Sequence, residues 1–221
     1  MKVSQPIGTR GSLQFMQQLV SRHPQRLTQL LREAGALRHE RELVWRSPLP
    51  DDGWAEYRDA AFLEQVGLLH LAPQLAAFWP SRGPQWDALA VAGETVILVE
   101  AKAHVGELIS HCAARDEGSR ALIRQSLNAT RRALGATGDR DWMHEYYQLA
   151  NRLAHLWFLR SHGVDAQLVL LNFTGDTGMP SPSTPAAFAD AYSAAHAQLG
   201  LASNVTVPGL THLYLDVSEL N

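Results

Sequence analysis

The chain has 221 residues, a formal net charge of −3 and 19% charged residues, which are ordinary values for a single globular domain. One cysteine, Cys112, excludes an internal disulfide framework, and the N-terminus lacks the apolar region of a signal peptide, which together predict a cytoplasmic protein. No segment approaches the roughly 18 apolar residues of a membrane span, and the acidic balance argues against a protein that coats DNA non-specifically.

Two helices are predicted near the N-terminus. Residues 11–36 carry apolar side chains at helical spacing, and Pro24 interrupts them because the residue before a proline avoids helical angles. The second helix is predicted over Gln25–Glu33. We expect residues 1–40 to form a helical extension packed on a core domain of residues 41–221, with a partner-binding face as the alternative.

A short strand over Glu42–Trp45 and a helix from Trp54 to about Leu69 are predicted next. Either Asp51 or Asp52 is placed to cap that helix. Residues 70–86 contain three prolines and are predicted to form an ordered loop.

Glu56 is an acidic residue that shares one face of the predicted helix with apolar residues. A carboxylate on such a face is costly unless a cation pairs with it. Glu56 is therefore a candidate site residue. A surface position, or a pair with an arginine, is the alternative.

A β-hairpin is the most informative feature of the chain. Two apolar runs, Trp86–Ala92 and Thr95–Ala101, flank Gly93-Glu94, and a glycine at the first central position is what a type II′ turn requires. In that register Asp87 lies directly opposite Glu100.

Lys102 shares a sheet face with Glu100, because strand side chains alternate between the two faces. Facing carboxylates such as Asp87 and Glu100 repel one another unless a cation lies between them. Two carboxylates, with water and phosphate oxygens, suit Mg²⁺. A hairpin that carries solvated charges is the alternative.

The residues after the hairpin offer weaker candidates. His104, His111 and Cys112 invite a zinc site, but their spacing matches none of the usual zinc motifs. His104 is also placed to touch a phosphate if the strand continues that far.

Positive charge is densest over residues 113–140. Arg120, Arg124 and Arg131 would lie near one side of a helix, where they could contact phosphates. Solvated helix charges are the alternative.

A buried helix is predicted from Trp142 to about Leu159, because apolar residues surround it on all sides. Gln148, Asn151 and His155 form one polar stripe on it. Buried polar groups need partners, so these three either satisfy each other and nearby backbone or face a site.

The C-terminal third is predicted to add two strands and a helix. Gln167–Phe173 is almost continuously apolar, as in a central strand covered on both faces. A turn-rich linker over residues 174–185 leads into a helix from Pro185 to Gln198, and Thr211–Val217 forms a last strand. The order of elements predicts an α/β sandwich built on a mixed sheet.

Asp87, the Glu100-Ala101-Lys102 run and the hairpin that carries them resemble the PD-(D/E)XK nuclease superfamily. The resemblance implies a restriction-endonuclease-like three-layer sandwich, in which a helix precedes an antiparallel three-stranded meander, a further helix and a strand. It also implies Mg²⁺-dependent phosphodiester hydrolysis, with Mn²⁺ as a substitute. The chain departs from the motif at Trp86, where the superfamily has a proline.

The resemblance assigns roles residue by residue. Asp87 and Glu100 would be metal ligands, with the carbonyl of Ala101 between them, and Lys102 would position water or stabilise charge. The first core helix often supplies a further carboxylate, for which we nominate Glu56, with Glu64 as the alternate. The helix after the hairpin often supplies a glutamine or a lysine, and we nominate Gln148 for that place.

The leading hypothesis is therefore a metal-dependent nuclease whose partner is nucleic acid, with DNA expected and no membrane involved. A homodimer is one arrangement that would cut both strands of a duplex. The main alternative is a non-catalytic nuclease-fold module that binds a protein or nucleic acid. A hydrolase of small phosphorylated or carboxylated compounds is a third hypothesis, because the net charge is not basic.

Overall fold

A mixed five-stranded β-sheet forms the centre of the protein, for which a computed structural model describes residues 1–38, 41–178, 183–201 and 206–220. The strands are β1 Lys2–Val3, β2 Val44–Ser47, β3 Glu56–Tyr57, β4 Ala88–Ala92, β5 Thr95–Lys102, β6 Ala166–Thr174 and β7 Leu210–Asp216. The helices are α1 Gly11–Arg22, α2 Pro24–Glu33, α3 Ala60–Gln65, α4 Ala72–Phe78, α5 Glu117–Ala133, α6 Tyr147–Ser161 and α7 Pro185–Gln198.

The central sheet has the strand order β2-β4-β5-β6-β7. Strands β2, β4 and β5 are antiparallel neighbours, whereas β5, β6 and β7 run parallel. Ala92 pairs with Thr95, which is the predicted hairpin register. Gly93 has a φ of 61°, and Glu94 is not among the residues with positive φ, as a type II′ turn requires.

Helices cover both faces of this sheet, so the fold is an α/β protein with three layers. Helices α1 and α2 pack on one face, where Leu31 meets side chains such as Ile97 and Phe173. Helices α3 to α7 cover the other face, which Val96 and Leu98 share with Glu100 and Lys102 by strand alternation. Burial on both faces explains why β5 and β6 are almost continuously apolar.

The predicted helix from Trp54 to Leu69 is wrong in its first half. Trp54 and Asp59 both have positive φ, near 55°, which a continuous helix cannot contain. Between them, strand β3 pairs with the N-terminal strand β1, and a regular helix begins only at Ala60. Asp52 caps no helix; its carboxylate accepts hydrogen bonds from Lys2 and the Tyr57 hydroxyl.

Three other boundaries differ from the predictions. The loop predicted over residues 70–86 contains α4, whose first turn accommodates a proline because no N–H is needed there. Strand β2 begins two residues later than predicted, at Val44. Helix α6 begins at Tyr147 rather than Trp142, because Glu145 and Tyr146 have positive φ.

The remaining elements agree with their predictions to within a residue or two. These are α1, α2, β6, α7 and β7. Residues 179–182 of the predicted linker, and residues 39–40 beside the predicted domain boundary, lie outside the described residues. Among the described helices, none has the length and apolar character needed to cross a bilayer.

Candidate active site

Strand β5 extends beyond the start of its neighbour β4, and this overhang builds the site. The ladder ends at the pair Ala88 and Val99, which leaves the Ala101 N–H without a β4 partner. Asp87 replaces that partner, because its Oδ2 accepts the Ala101 N–H over 2.7 Å. The carboxylate of Asp87 is thereby held at the edge of the strand that carries Glu100.

Ala101 contributes its backbone to this edge. The N–H and C=O of one strand residue point to the same side, so the Ala101 carbonyl points toward the side of Asp87. Its methyl group packs in the core on the opposite face of the sheet.

Glu100 is buried, with 3% of its surface exposed, and two cations hold it. The Lys102 ammonium bonds to Oε1 of Glu100 from two residues along the strand. The Arg152 guanidinium donates Nε–H to the other oxygen, Oε2, over 2.6 Å.

Arg152 is the site residue that our reading of the sequence missed. It lies on α6, is 4% exposed, and also donates to the Asn151 side chain and to the Gln85 carbonyl. Its guanidinium stacks 4.8 Å from the centre of the Trp86 ring. The available signal was an arginine within a helix predicted to be buried, since buried charges require partners.

Glu56 reaches the site from strand β3 rather than from a helix. Its Oε2 accepts hydrogen bonds from the side chains of Gln5 and Gln85. Gln5 follows strand β1, so the N-terminal segment helps to position this carboxylate. The alternate, Glu64, is exposed on α3 and does not line the site.

Glu56 and Asp87 line an open cavity of about 450 Å³. Its other walls are polar: Gln85, Ser110, Tyr147, Gln148, Asn151 and Arg152. Glu100 and Lys102 lie instead on a neighbouring void of only about 10 Å³. Gln148 borders both spaces, so the predicted glutamine stands between the carboxylates of the cavity and the buried Glu100–Lys102 pair.

The three carboxylates differ in their affinity for protons. Burial raises the pKa of Asp87 well above its usual value of 3.8, and the charge of Glu100 raises it further. Burial also raises the pKa of Glu56. Burial opposes ionisation of Glu100 too, but Arg152 and Lys102 outweigh it and lower the pKa of this residue. Positive charge is therefore scarce around Asp87 and Glu56 and sufficient around Glu100.

The other candidates from the sequence lie outside this cavity. His155 is enclosed by aromatic rings, among them Trp79 and Trp86. His104 lies 3.3 Å from Glu107, and His111 accepts a hydrogen bond from the backbone of Glu145.

The predicted arginine ridge on α5 is only partly free. Arg120 and Arg131 donate to the backbone carbonyls of Ala114 and Gly138, whereas Arg124 is exposed. Two of the three guanidiniums therefore hold loops that flank the helix.

Across the described ranges, no group of three or more His, Cys, Asp or Glu side chains is placed to hold a metal ion as folded. No protein-family model matches the chain, and no curated protein or solved structure matches it either. Functional inference therefore rests on the geometry of the site.

Proposed function

We propose that the chain is a metal-dependent nuclease of the PD-(D/E)XK superfamily, with a restriction-endonuclease-like fold, that hydrolyses phosphodiester bonds in nucleic acid. DNA is the expected substrate. The observation that carries the proposal is the convergence of Asp87, Glu100 and Lys102 at the end of a hairpin. The antiparallel run of β2, β4 and β5, followed by helices and the parallel strand β6, supports it.

The donor atoms fit a hard divalent cation such as Mg²⁺, or Mn²⁺ as a substitute, because such ions take carboxylate and carbonyl oxygens. No described residue donates to Asp87 Oδ1 or Glu56 Oε1, and the raised pKa of each carboxyl means that added positive charge would favour ionisation. Asp87, Glu56 and the Ala101 carbonyl would hold the cation, and Glu100 would join them by exchanging the hydrogen bond of one oxygen for the metal. When bound, it would supply Lewis-acid polarisation of the phosphate and acidify a water molecule.

Lys102 would act electrostatically. Burial alone would lower its pKa, but Glu100 and Asp87 raise it, so the ammonium stays protonated at neutral pH. A protonated lysine donates hydrogen bonds and cannot accept a proton, so it can stabilise negative charge on a phosphate but cannot serve as the general base. Gln148, at the boundary of the two spaces, can orient a water molecule by hydrogen bonding.

The competing proposal is a non-catalytic binding module of the same fold. The observation that favours it is the pairing of Glu100, whose two oxygens are bound by Lys102 and Arg152. In such a module these charges would serve only to hold β5 against α6. Added Mg²⁺ or Mn²⁺ would then give no rise in melting temperature, because a ligand stabilises only a fold that binds it.

The deciding experiment measures cleavage of linear duplex, supercoiled plasmid, single strands, branched DNA and RNA with Mg²⁺, Mn²⁺ or EDTA. Wild type is compared with Asp87→Asn, whose amide oxygen can still accept the Ala101 N–H, and with Glu64→Gln, an exposed carboxylate outside the site. We expect metal-dependent cutting that Asp87→Asn loses and Glu64→Gln keeps. Cutting that survives in Asp87→Asn contradicts the assignment, and no cutting together with no metal-induced stabilisation favours the binding module.

A further inference from the structure

A small cavity with one aromatic corner, which we call the aromatic cavity, lies beside the candidate active site. Its volume is about 200 Å³, and it is bounded by residues of α3, α4 and α6. Trp79 and His155 form one corner, with ring centroids 4.9 Å apart and planes inclined by 65°. Trp86 separates this corner from Arg152. An apolar cavity of about 150 Å³ can bind benzene, so this space has room for one flat six-membered ring.

His155 presents a hydrogen-bond acceptor to this cavity. Its Nδ1 lies 2.8 Å from the Asn151 carbonyl oxygen, which can only accept, so Nδ1 carries the proton. Burial lowers the pKa of His155 to about 3, so the ring is neutral and Nε2 keeps its lone pair. No described residue donates to Nε2. A neutral acceptor beside the Trp79 ring suits the amino edge of a nucleobase.

A larger groove, of about 710 Å³, lies between the aromatic cavity and the candidate active site and shares lining residues with each. Trp79, Pro80 and Ser81 line both the cavity and the groove. Tyr147 lines both the groove and the cavity that holds Asp87. The three spaces are therefore consecutive neighbours with shared walls.

Two of the three charged side chains that line the groove are arginines. Arg82 and Arg115 are exposed along it, and neither guanidinium has an acidic partner among the described residues. Asp116 also lines the groove, but its Oδ2 accepts the Ser119 N–H at the start of α5. At the mouth of the aromatic cavity, Asp59 accepts the backbone N–H of the residue after Arg82. Phosphate groups would complement the two free guanidiniums.

We propose that this path binds a single strand of nucleic acid, with phosphates on Arg82 and Arg115 and one unpaired base in the aromatic cavity, against the Trp79 ring and with its polar edge at His155. The inference rests on the proposed function and adds the substrate class, a strand with an unpaired base next to the cleaved bond. A base within a duplex is stacked and paired, so it cannot enter such a pocket unless it is flipped out. Stacking on an aromatic ring tolerates any base, so the path would select mainly for strand state, and the His155 acceptor would add a preference for bases that carry an amino group.

The test measures fluorescence anisotropy of labelled single strands of DNA and RNA, and of the matching duplex, in EDTA so that no cleavage occurs. Ala76→Leu fills the aromatic cavity from an exposed position on its wall, and Ala77→Leu, the next exposed residue of α4, is the matched control. The double variant Arg82→Ala/Arg115→Ala removes the groove charges. Its control is Arg22→Ala/Arg132→Ala, which removes two exposed charges, one from α1 and one from α5.

We expect single strands to bind tighter than duplex, and Ala76→Leu to weaken them by about five- to 150-fold, the range for losing one stacked base. The slope of log K against log salt should fall by about 1.4 in Arg82→Ala/Arg115→Ala, at about 0.7 for each phosphate contact. Both controls should match wild type. Equal affinity of Ala76→Leu and Ala77→Leu, or preference for duplex, overturns the inference.

These outcomes are separable from those of the cleavage assay. Metal-dependent cutting with no effect of the groove substitutions would overturn this inference and leave the proposed function intact. Selective binding of single strands that depends on the groove, without cutting, would support the path and count against the nuclease.

Discussion

Arg152 donates its Nε–H to Glu100 Oε2 over 2.6 Å and so joins helix α6 to strand β5 at the candidate active site. Both side chains are buried, with 4% and 3% of their surfaces exposed. The guanidinium also donates hydrogen bonds to the Asn151 side chain and to the Gln85 carbonyl. Arg152 therefore links α6, β5 and the segment before β4. Glu100 in turn is the shared partner of Arg152 and Lys102.

Replacing Arg152 with methionine should destabilise the fold strongly. The substitution leaves the Glu100 carboxylate buried with only Lys102 as a partner, and breaking a buried pair in this way costs about 3–5 kcal/mol. Urea denaturation of Arg152→Met against wild type measures this cost.

The matched control is Arg132→Met, an exposed arginine on α5, which should change stability by no more than about 0.5 kcal/mol. The double variant Glu100→Gln/Arg152→Met should lose less free energy of unfolding than the sum of its single variants. Each single variant leaves one charge of the pair without the other, whereas the double variant removes both. A loss below about 1 kcal/mol in Arg152→Met would contradict the importance of the pair.

Lys102→Met should slow nucleic-acid cleavage strongly while the fold survives. Loss of one preorganised charge-stabilising donor typically lowers kcat by about 100- to 1,000-fold, and Arg152 still pairs with Glu100 in the variant. Single-turnover cleavage and circular dichroism report the two effects separately. Lys2→Met removes the only other lysine of the chain, which lies on the surface beside Asp52, and should leave cleavage unchanged. Unaltered turnover in Lys102→Met would remove lysine from the proposed mechanism.

Asp87 should make the protein less stable as the pH rises. Its pKa in the folded state is raised above the usual 3.8, so the folded state binds more protons than the unfolded state between 3.8 and that higher pKa. Its contribution to stability is therefore complete below 3.8 and is lost as the pH rises through the folded-state pKa. Asp87→Asn should flatten this decline and raise stability at neutral pH, as measured by urea unfolding at a series of pH values.

Glu100, in contrast to Asp87, should make the protein more stable as the pH rises. Its pKa is lowered from the usual 4.5, so its contribution is present above 4.5 and is lost on acidification through the folded-state pKa. Glu64→Gln is the control for both carboxylates because its side chain is exposed. If the stability of Asp87→Asn and that of Glu64→Gln depend on pH in the same way, the pKa of Asp87 is not shifted in the folded state.

Leu31→Ala should destabilise the whole protein if α1 and α2 are a structural layer. Leu31 is fully buried between α2 and the sheet, and such truncations cost about 2–5 kcal/mol. Gln25→Ala, at an exposed position of the same helix, is the control. We expect Leu31→Ala to unfold in a single transition, with its midpoint lower than that of wild type. Two separate transitions, with only the weaker one affected, would mean that residues 1–40 fold apart from the core.

Local rules account for the part of the site carried by the hairpin. The two-residue turn at Gly93-Glu94 determines the pairing of Ala92 with Thr95, and period-two alternation then puts Glu100 and Lys102 on one face. Turn chemistry and alternation act over a few residues, so they can be read from the sequence. The same holds for α1 and α2, whose apolar spacing and intervening proline determine their boundaries.

Contacts between distant segments decided the rest. Glu56 lies in a strand because residues 2–3 pair with residues 56–57, and no local pattern near Glu56 contains that information. Arg152 finds Glu100 across 52 positions of the chain only when α6 packs on the sheet. The sequence by itself therefore determined the hairpin, its carboxylate register and the lysine beside it. The tertiary structure decided how Glu56 is delivered and which cation holds Glu100, because long-range packing free energies outweigh local propensities at those positions.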